Sequence, residues 1–456
     1  MKIINSRRSF IKSMGAGLLG GAAFSSGILP VLANASTTSA SPYKALVCLN
    51  FTGGNDAFNT LVPMASSTYA SYSKVRQELA LPKEKLNALT HNNPNTAAYG
   101  LHESLKDVAQ LYNTGKLAVV GNVGNLIEPV IKASYKQNGT RLPNNLFAHN
   151  DQAILSQTLN NGLMNTGWAG RIAEAMSAAN INQKLAMNIT LSGSNPLQRG
   201  NETTPFGLTK NGIYRMSALS EANSGDLPAK RAQLYRHFLA RSHANPLQQY
   251  FADTEVQAWA MSQYVAEILE NQPKINTPLM SSVGLSQNFA TVARMIAAND
   301  AFQVKRQMFY INFGSFDTHA YQLGGQLDLL TQVNNALSEF YGTLSALGYA
   351  DQVVTFTLSE FGRTLSRNGT DGTDHGWGSH HFVMGDAVKG QDIYGAMPSL
   401  ELGSDDDIGE GRIIPTSSFD QYAATLANWF GVSSDDVAKI FPNVKNFNQK
   451  NLGFLG

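Results

Sequence analysis

Short apolar runs rich in β-branched and aromatic residues alternate along this chain with longer segments of helical period, and few folds accept that alternation. The runs 46–51, 117–123, 185–191, 308–313 and 353–358 read as buried strands. Between them, Leu285, Phe289, Val292 and Ile296 fall on one helical face. So do Leu323, Leu327, Leu330, Leu337, Tyr341 and Leu344. A helix over 321–347 stops at Gly348 and a strand follows at once, which is the grammar of a βαβ unit. The expectation is an α/β layered domain with a mostly parallel central sheet. Residues 193–284 differ: loops rich in Ser, Asn and Gly precede two helices, over 229–242 and 247–271, read as a helical insertion beside the sheet.

The first 35 residues stand apart. Ser6-Arg7-Arg8-Ser9-Phe10-Ile11-Lys12 precedes a weakly apolar stretch rich in Gly and Ala, and Ala33-Asn34-Ala35 supplies a small-x-small cleavage site. This reads as a twin-arginine signal peptide over 1–35, with the twin-arginine translocase as export partner. The mature domain, 36–456, is then periplasmic or secreted with no stable membrane anchor. Signal removal takes Lys2, Arg7, Arg8 and Lys12 and no acid, leaving 30 basic against 33 acidic side chains. That balance argues against nucleic acid as a partner. Cys48 is the single cysteine, so no internal disulfide forms, and its apolar run reads it as a buried small hydrophobe.

In open α/β sheets ligands bind beyond the carboxyl ends of the strands. There the chain places Thr52-Gly53-Gly54-Asn55-Asp56, Gly314-Ser315-Phe316-Asp317-Thr318-His319 and Ser359-Glu360-Phe361-Gly362-Arg363. Thr373-Asp374-His375 follows, ahead of a further strand over 382–384. Four of the nine histidines lie within 319–381. Carboxylates and imidazoles recurring at one sheet end suit a divalent metal such as zinc, manganese or calcium. Asp56, Asp317, His319, Glu360, Asp374 and His375 are the candidate ligands. Arg363 is either a structural partner of Glu360 or a bidentate clamp for an anionic substrate. No nucleophile elbow, phosphate loop, HExxH or dinucleotide fingerprint is present.

In this order, these motifs, with Leu146-Phe147-Ala148-His149-Asn150-Asp151-Gln152, Gly167-Trp168-Ala169-Gly170-Arg171 and Trp429-Phe430-Gly431, resemble the bacterial domain-of-unknown-function 1501 family. That family is similar to the alkaline phosphatase and sulfatase superfamily. The resemblance implies an alkaline-phosphatase-like three-layer fold, a one- or two-metal site of Asp and His, and a small anionic ester as substrate. It aligns Asp56, Asp317, His319, Glu360 and His375 with metal-binding positions, although Phe361 replaces a histidine. It places the nucleophile after the second strand, a region that offers Asn122, Asn125 and His149, with Ala148 where relatives often have serine. Ser134 and Thr140 are nearby. His149 and Arg363 are the candidate catalytic residues. Three functions follow: a metal-dependent hydrolase of phosphate or sulfate esters, an inactive scaffold or binding protein, or a metal-binding accessory protein in envelope or polysaccharide assembly.

Overall fold

The structure, a computed structural model, describes residues 42–159, 165–213, 226–272 and 284–456. The export signal read in residues 1–35 lies outside the described residues. Ten strands form the main sheet: β1 (Lys44–Phe51), β2 (Leu117–Gly124), β3 (Asn188–Thr190), β4 (Phe206–Thr209), β5 (Gly212–Ile213), β6 (Arg306–Phe313), β7 (Val353–Ser359), β8 (Ser379–Met384), β9 (Ile393–Tyr394) and β10 (Ser417–Ser418). Their order is β9-β2-β8-β7-β1-β6-β3-β4-β5, with β10 also beside β2. All neighbours pair in parallel except β8, which runs against β7 and β2, and β5, which runs against β4.

The pleat of β1 explains the layers. Ala45, Val47, Leu49 and Phe51 point into one core, whereas Leu46 and Cys48 point into another. The first core is closed by α2 (Lys106–Asn113), α7 (Leu285–Ala297), α8 (Gln322–Leu347) and the end of α6 (Pro246–Asn271). The second is closed by α4 (Trp168–Ala175) and α9 (Phe419–Phe430). Helices on both faces of a mostly parallel sheet make a three-layer α/β fold, as the alternation requires. α9 starts at a capping box of Ser418 and Gln421 and stops at Gly431, whose φ of 110° suits glycine.

Two expectations need correction. Leu323 and Leu327 of α8 are exposed; the buried face runs instead through Leu329, Leu330, Val333, Ala336, Leu337, Phe340 and Leu344. In the first turns the buried positions are polar, Gln322 and Gln326, which hydrogen-bond to Asp56, so the leucines there face outward. Segment 193–284 holds its two helices, α5 (Asp226–Ala240) and α6, but also supplies β4 and β5, which extend the sheet edge. Their short runs are broken by glycine, which hid them from a periodicity reading. Cys48 is buried as expected, and burial raises its thiol pKa. Among the described residues, no helix is long and apolar enough to cross a membrane.

Candidate metal centre

Three loops at the carboxyl ends of adjacent strands β7, β1 and β6 build the centre, and two further segments complete it. Register aligns the loops: Phe51 pairs with both Ser359 and Phe313, so the chain leaves all three strands at one level. Gly53 and Gly54 turn the first loop with φ of 114° and 80°. A Cβ on Gly53 would sit 2.4 Å from Asp317 N, and one on Gly54 would sit 2.4 Å from the Phe361 ring. Only glycine lets these loops close on one another. After β7 a ribbon forms, Arg363–Arg367 against Thr373–His375, and it pairs Arg363 with His375. His149 opens α3 (His149–Thr158).

The side chains converge on Asp317. Its Oδ1 lies 3.3 Å from His149 Nε2, 3.1 Å from His319 Nε2 and 3.4 Å from His375 Nε2. The Nε2 atoms of His319 and His375 are 2.9 Å apart. Each ring is oriented through its other nitrogen. His375 Nδ1 donates to the Phe147 carbonyl (2.6 Å), His149 Nδ1 faces Glu360 Oε1 (3.0 Å), and His319 Nδ1 faces Asp374 Oδ1 (3.0 Å). With the Nδ1 protons so directed, three Nε2 lone pairs and a carboxylate oxygen point into one small volume. His149 Nε2 is buried without a hydrogen-bond partner. Arg363 donates to Asp317 Oδ1, and its Nη1 lies 3.5 Å from His319 Nε2; the lone pairs of His149 and His375 beside that carboxylate would be joined by a bound cation.

The chemistry of that donor set fits a divalent ion. Ligands about 2.1 Å from a tetrahedral zinc sit roughly 3.4 Å from one another, close to the separations of 3.3 and 3.4 Å from Asp317 to His149 and His375. Among the described residues His149, Asp317 and His375 form a group able to hold an ion. Carboxylate or carbonyl partners behind metal-bound imidazoles are the usual second layer of such sites. Phe361 stacks on His375 with ring centroids 4.9 Å apart and tilts against His149 at the same distance. Asp317 and His319 are each about 43% exposed, so the centre opens to solvent.

Electrostatics favours the ligand-ready forms. Burial works to raise the Asp317 carboxyl, but Arg363, through its hydrogen bond and charge, and then His149 and His319 outweigh it and hold the group below the ordinary range. Burial also holds His375 below the usual imidazole value; Arg363 and His149 push the same way, against the Phe147 carbonyl and Asp317.

The structure therefore sorts the sequence candidates. Asp317, His319 and His375 come together. Glu360 and Asp374 stand one layer back, bound to imidazoles. Asp56 is elsewhere engaged: it is buried, pairs with Arg76 through both oxygens, accepts from Gln322 Nε2 (2.9 Å) and caps the turn Ala57–Thr60. Its offset of a few residues from the strand end turns it away from the loop. Arg363 is fully buried. It donates to the carbonyls of Gly54 (3.0 Å), Gly53 (2.8 Å), Phe316 (3.3 Å) and Thr373 (3.2 Å), and to Asp317. It ties three loops together, which removes the anion-clamp expectation. His149, expected as a catalytic residue, joins Asp317 and His375 in the group able to hold an ion; its place at the start of a helix, far from the other histidines in sequence, gave no signal of that grouping. His380 and His381 belong to β8 and are buried in the core. Ser134 and Thr140 share a turn, where Thr140 Oγ1 donates to Ser134 O (2.9 Å).

Comparison with protein families now decides the kinship: the model described as "Protein of unknown function (DUF1501)" matches residues 43–409. The chain belongs to the DUF1501 family. No curated protein matches it in sequence. Among solved structures, this DUF1501 protein is similar to Ps i-CgsB in complex with k-i-k-neocarrahexaose, at 9% identity over 90% of this chain and 77% of that one, with a TM-score of 0.34. It is also similar to a mutant of alkaline phosphatase PafA, at 10% identity over 74% of this chain and 64% of that one, with a TM-score of 0.23.

Proposed function

We propose that this DUF1501 protein is a metal-dependent hydrolase of phosphate or sulfate esters, exported by the twin-arginine route and active in the periplasm or outside the cell. One observation carries the reading: three outward-fixed imidazole Nε2 atoms meet Asp317 Oδ1 in a solvent-open cluster at the carboxyl end of the sheet. His149, His375 and Asp317 would hold the ion, with His319 beside them. A divalent ion held there would supply Lewis-acid chemistry at the ester. An accessible site with few protein ligands leaves positions for water and substrate, unlike a closed structural site.

The chain's own groups then have defined tasks. Glu360, Asp374 and the Phe147 carbonyl fix the three rings. Arg363 positions Asp317. Phe361 covers one side of the imidazoles and excludes water there. No serine or threonine hydroxyl hydrogen-bonds to the side chains of the four converging residues among those described, so the reading makes water, not a side chain, the nucleophile. The test is turnover of a panel of aryl phosphates and aryl sulfates by the mature chain with zinc, manganese or calcium. Activity with at least one ester, lost in His375→Ala, supports the proposal.

A second reading has its own support. Arg363 has spent its donors on the fold, and no free arginine replaces it at the centre among the described residues. If the protein binds metal and hydrolyses none of the panel, it is a metal-binding accessory or scaffold protein of envelope or polysaccharide assembly.

A further inference from the structure

The turn ahead of α3 holds its backbone against its own preferences. Asn145 and Phe147 are both left-handed, with φ of 47° and 71°. Asparagine tolerates that region, whereas a bulky aromatic is strained in it. Ala148, the last residue before the helix, makes no side-chain cap. Such a turn persists only where its surroundings enforce it. It matters to the centre twice over: the Phe147 carbonyl accepts from His375 Nδ1 (2.6 Å), and His149 opens the helix that the turn leads into.

We infer that Gln152, clamped by Asn125, is a positioning residue that sets His149 and His375 for a metal ion, an inference that rests on the metal-centre reading. Gln152 Nε2 donates to the carbonyls of Asn144 (2.8 Å) and Asn145 (3.2 Å) in the strained turn. Its Oε1 accepts from Asn125 Nδ2 (2.9 Å), which also reaches the Glu360 carbonyl (3.4 Å). Asn125 is anchored in turn, for its own carbonyl accepts from Trp377 Nε1 (2.8 Å). One buried amide pair thus ties the turn that orients His375 to the backbone of Glu360, whose carboxylate faces His149 Nδ1. The task needs two N–H donors and an acceptor on one side chain of this length. Glutamate lacks the donors, lysine lacks the acceptor and methionine lacks both. Without the clamp Phe147 relaxes towards ordinary backbone, its carbonyl leaves His375 Nδ1, and that ring is free to turn.

The test titrates the mature chain with cobalt(II), whose visible absorption reports the ligands around it. Gln152→Met keeps the length of the side chain and removes its polar atoms. It should weaken cobalt affinity about tenfold or more, the scale set by outer partners of metal-bound imidazoles. The visible spectrum of the saturated variant should also change shape, with circular dichroism unchanged. Leu344→Ala, a core change near the end of α8, is the control: it lowers stability and leaves both cobalt readouts as in the wild type. If Gln152→Met does not fold, Asn125→Ala decides, since it removes the anchor and leaves Gln152 in place; the same two changes are expected. Wild-type affinity and spectrum in the folded variant, whatever its stability, would overturn the positioning role and leave the metal centre standing. A wild-type chain that takes up no cobalt would overturn the metal centre and the role together.

Discussion

Arg363→Lys separates a structural guanidinium from a ligand-binding one. Arg363 is fully buried and donates to four carbonyls and the Asp317 carboxylate, with His319 Nε2 a further 3.5 Å contact of its Nη1. A lysine has three N–H donors and no planar fork, so at least two of these buried acceptors lose their partner. Each unsatisfied buried group costs about 1–3 kcal/mol, which gives a total loss of about 2–6 kcal/mol. Urea unfolding of the mature protein, followed by circular dichroism, should show the unfolding free energy fall by that amount, read as a lower midpoint at an unchanged slope. Binding of inorganic phosphate or sulfate by the surviving folded fraction should change little. A variant within about 1 kcal/mol of wild type that has lost anion binding or turnover would show that the guanidinium faces substrate, and the structural assignment would fail.

Further expectations follow from neighbouring groups. Asp56→Asn breaks a buried ion pair with Arg76, so stability should drop by about 3–5 kcal/mol while metal content per folded chain, read by elemental analysis, stays at the wild-type level. Gly54→Ala pushes a Cβ against the ring of Phe361 and so disturbs the ring that covers His149 and His375; metal affinity measured by competition with a chelating dye should fall with a stability loss of about 1–3 kcal/mol. His380 and His381 are pushed down by burial to about 4 and about 3. Above the ordinary imidazole value of about 6.5 both states are neutral; as pH falls below it the unfolded chain gains protons that the buried rings refuse, so stability is lost progressively down to about 4 for His380 and about 3 for His381 and levels off below. His381→Phe should therefore flatten part of the acid limb in unfolding measured from pH 7 to pH 3, and an unchanged limb would refute the buried-neutral assignment.

The strands and their alternation with helices were legible because parallel strands covered on both faces are near-continuous apolar runs, as 117–121 is and 353–358, interrupted by two threonines, nearly is. The level at which loops leave those strands was legible too, which is why Asp317, His319 and His375 were found together. What sequence could not carry was the third dimension within the loops. Asp56 and Asp317 both follow strands, yet Arg76, arriving from the end of α1 (Ser66–Arg76), claims the first. Glu360 looked like a ligand until His149, two hundred residues earlier in the chain, came between it and the centre. Arg363 next to a strand end looked free to bind substrate, whereas three carbonyls from loops distant in sequence and a fourth from its own ribbon surround it.

The central claim is that His149, Asp317 and His375, with His319, form one divalent-metal centre. Its most direct test is the metal content of the mature protein after equilibration with zinc or manganese at pH 7.5 and removal of excess ion, compared with His149→Ala and His375→Ala. The account predicts one tightly held ion per chain in the wild type and loss of that ion in both variants, with circular dichroism unchanged. Wild-type protein that retains no stoichiometric ion, or variants that retain it undiminished, would contradict the account.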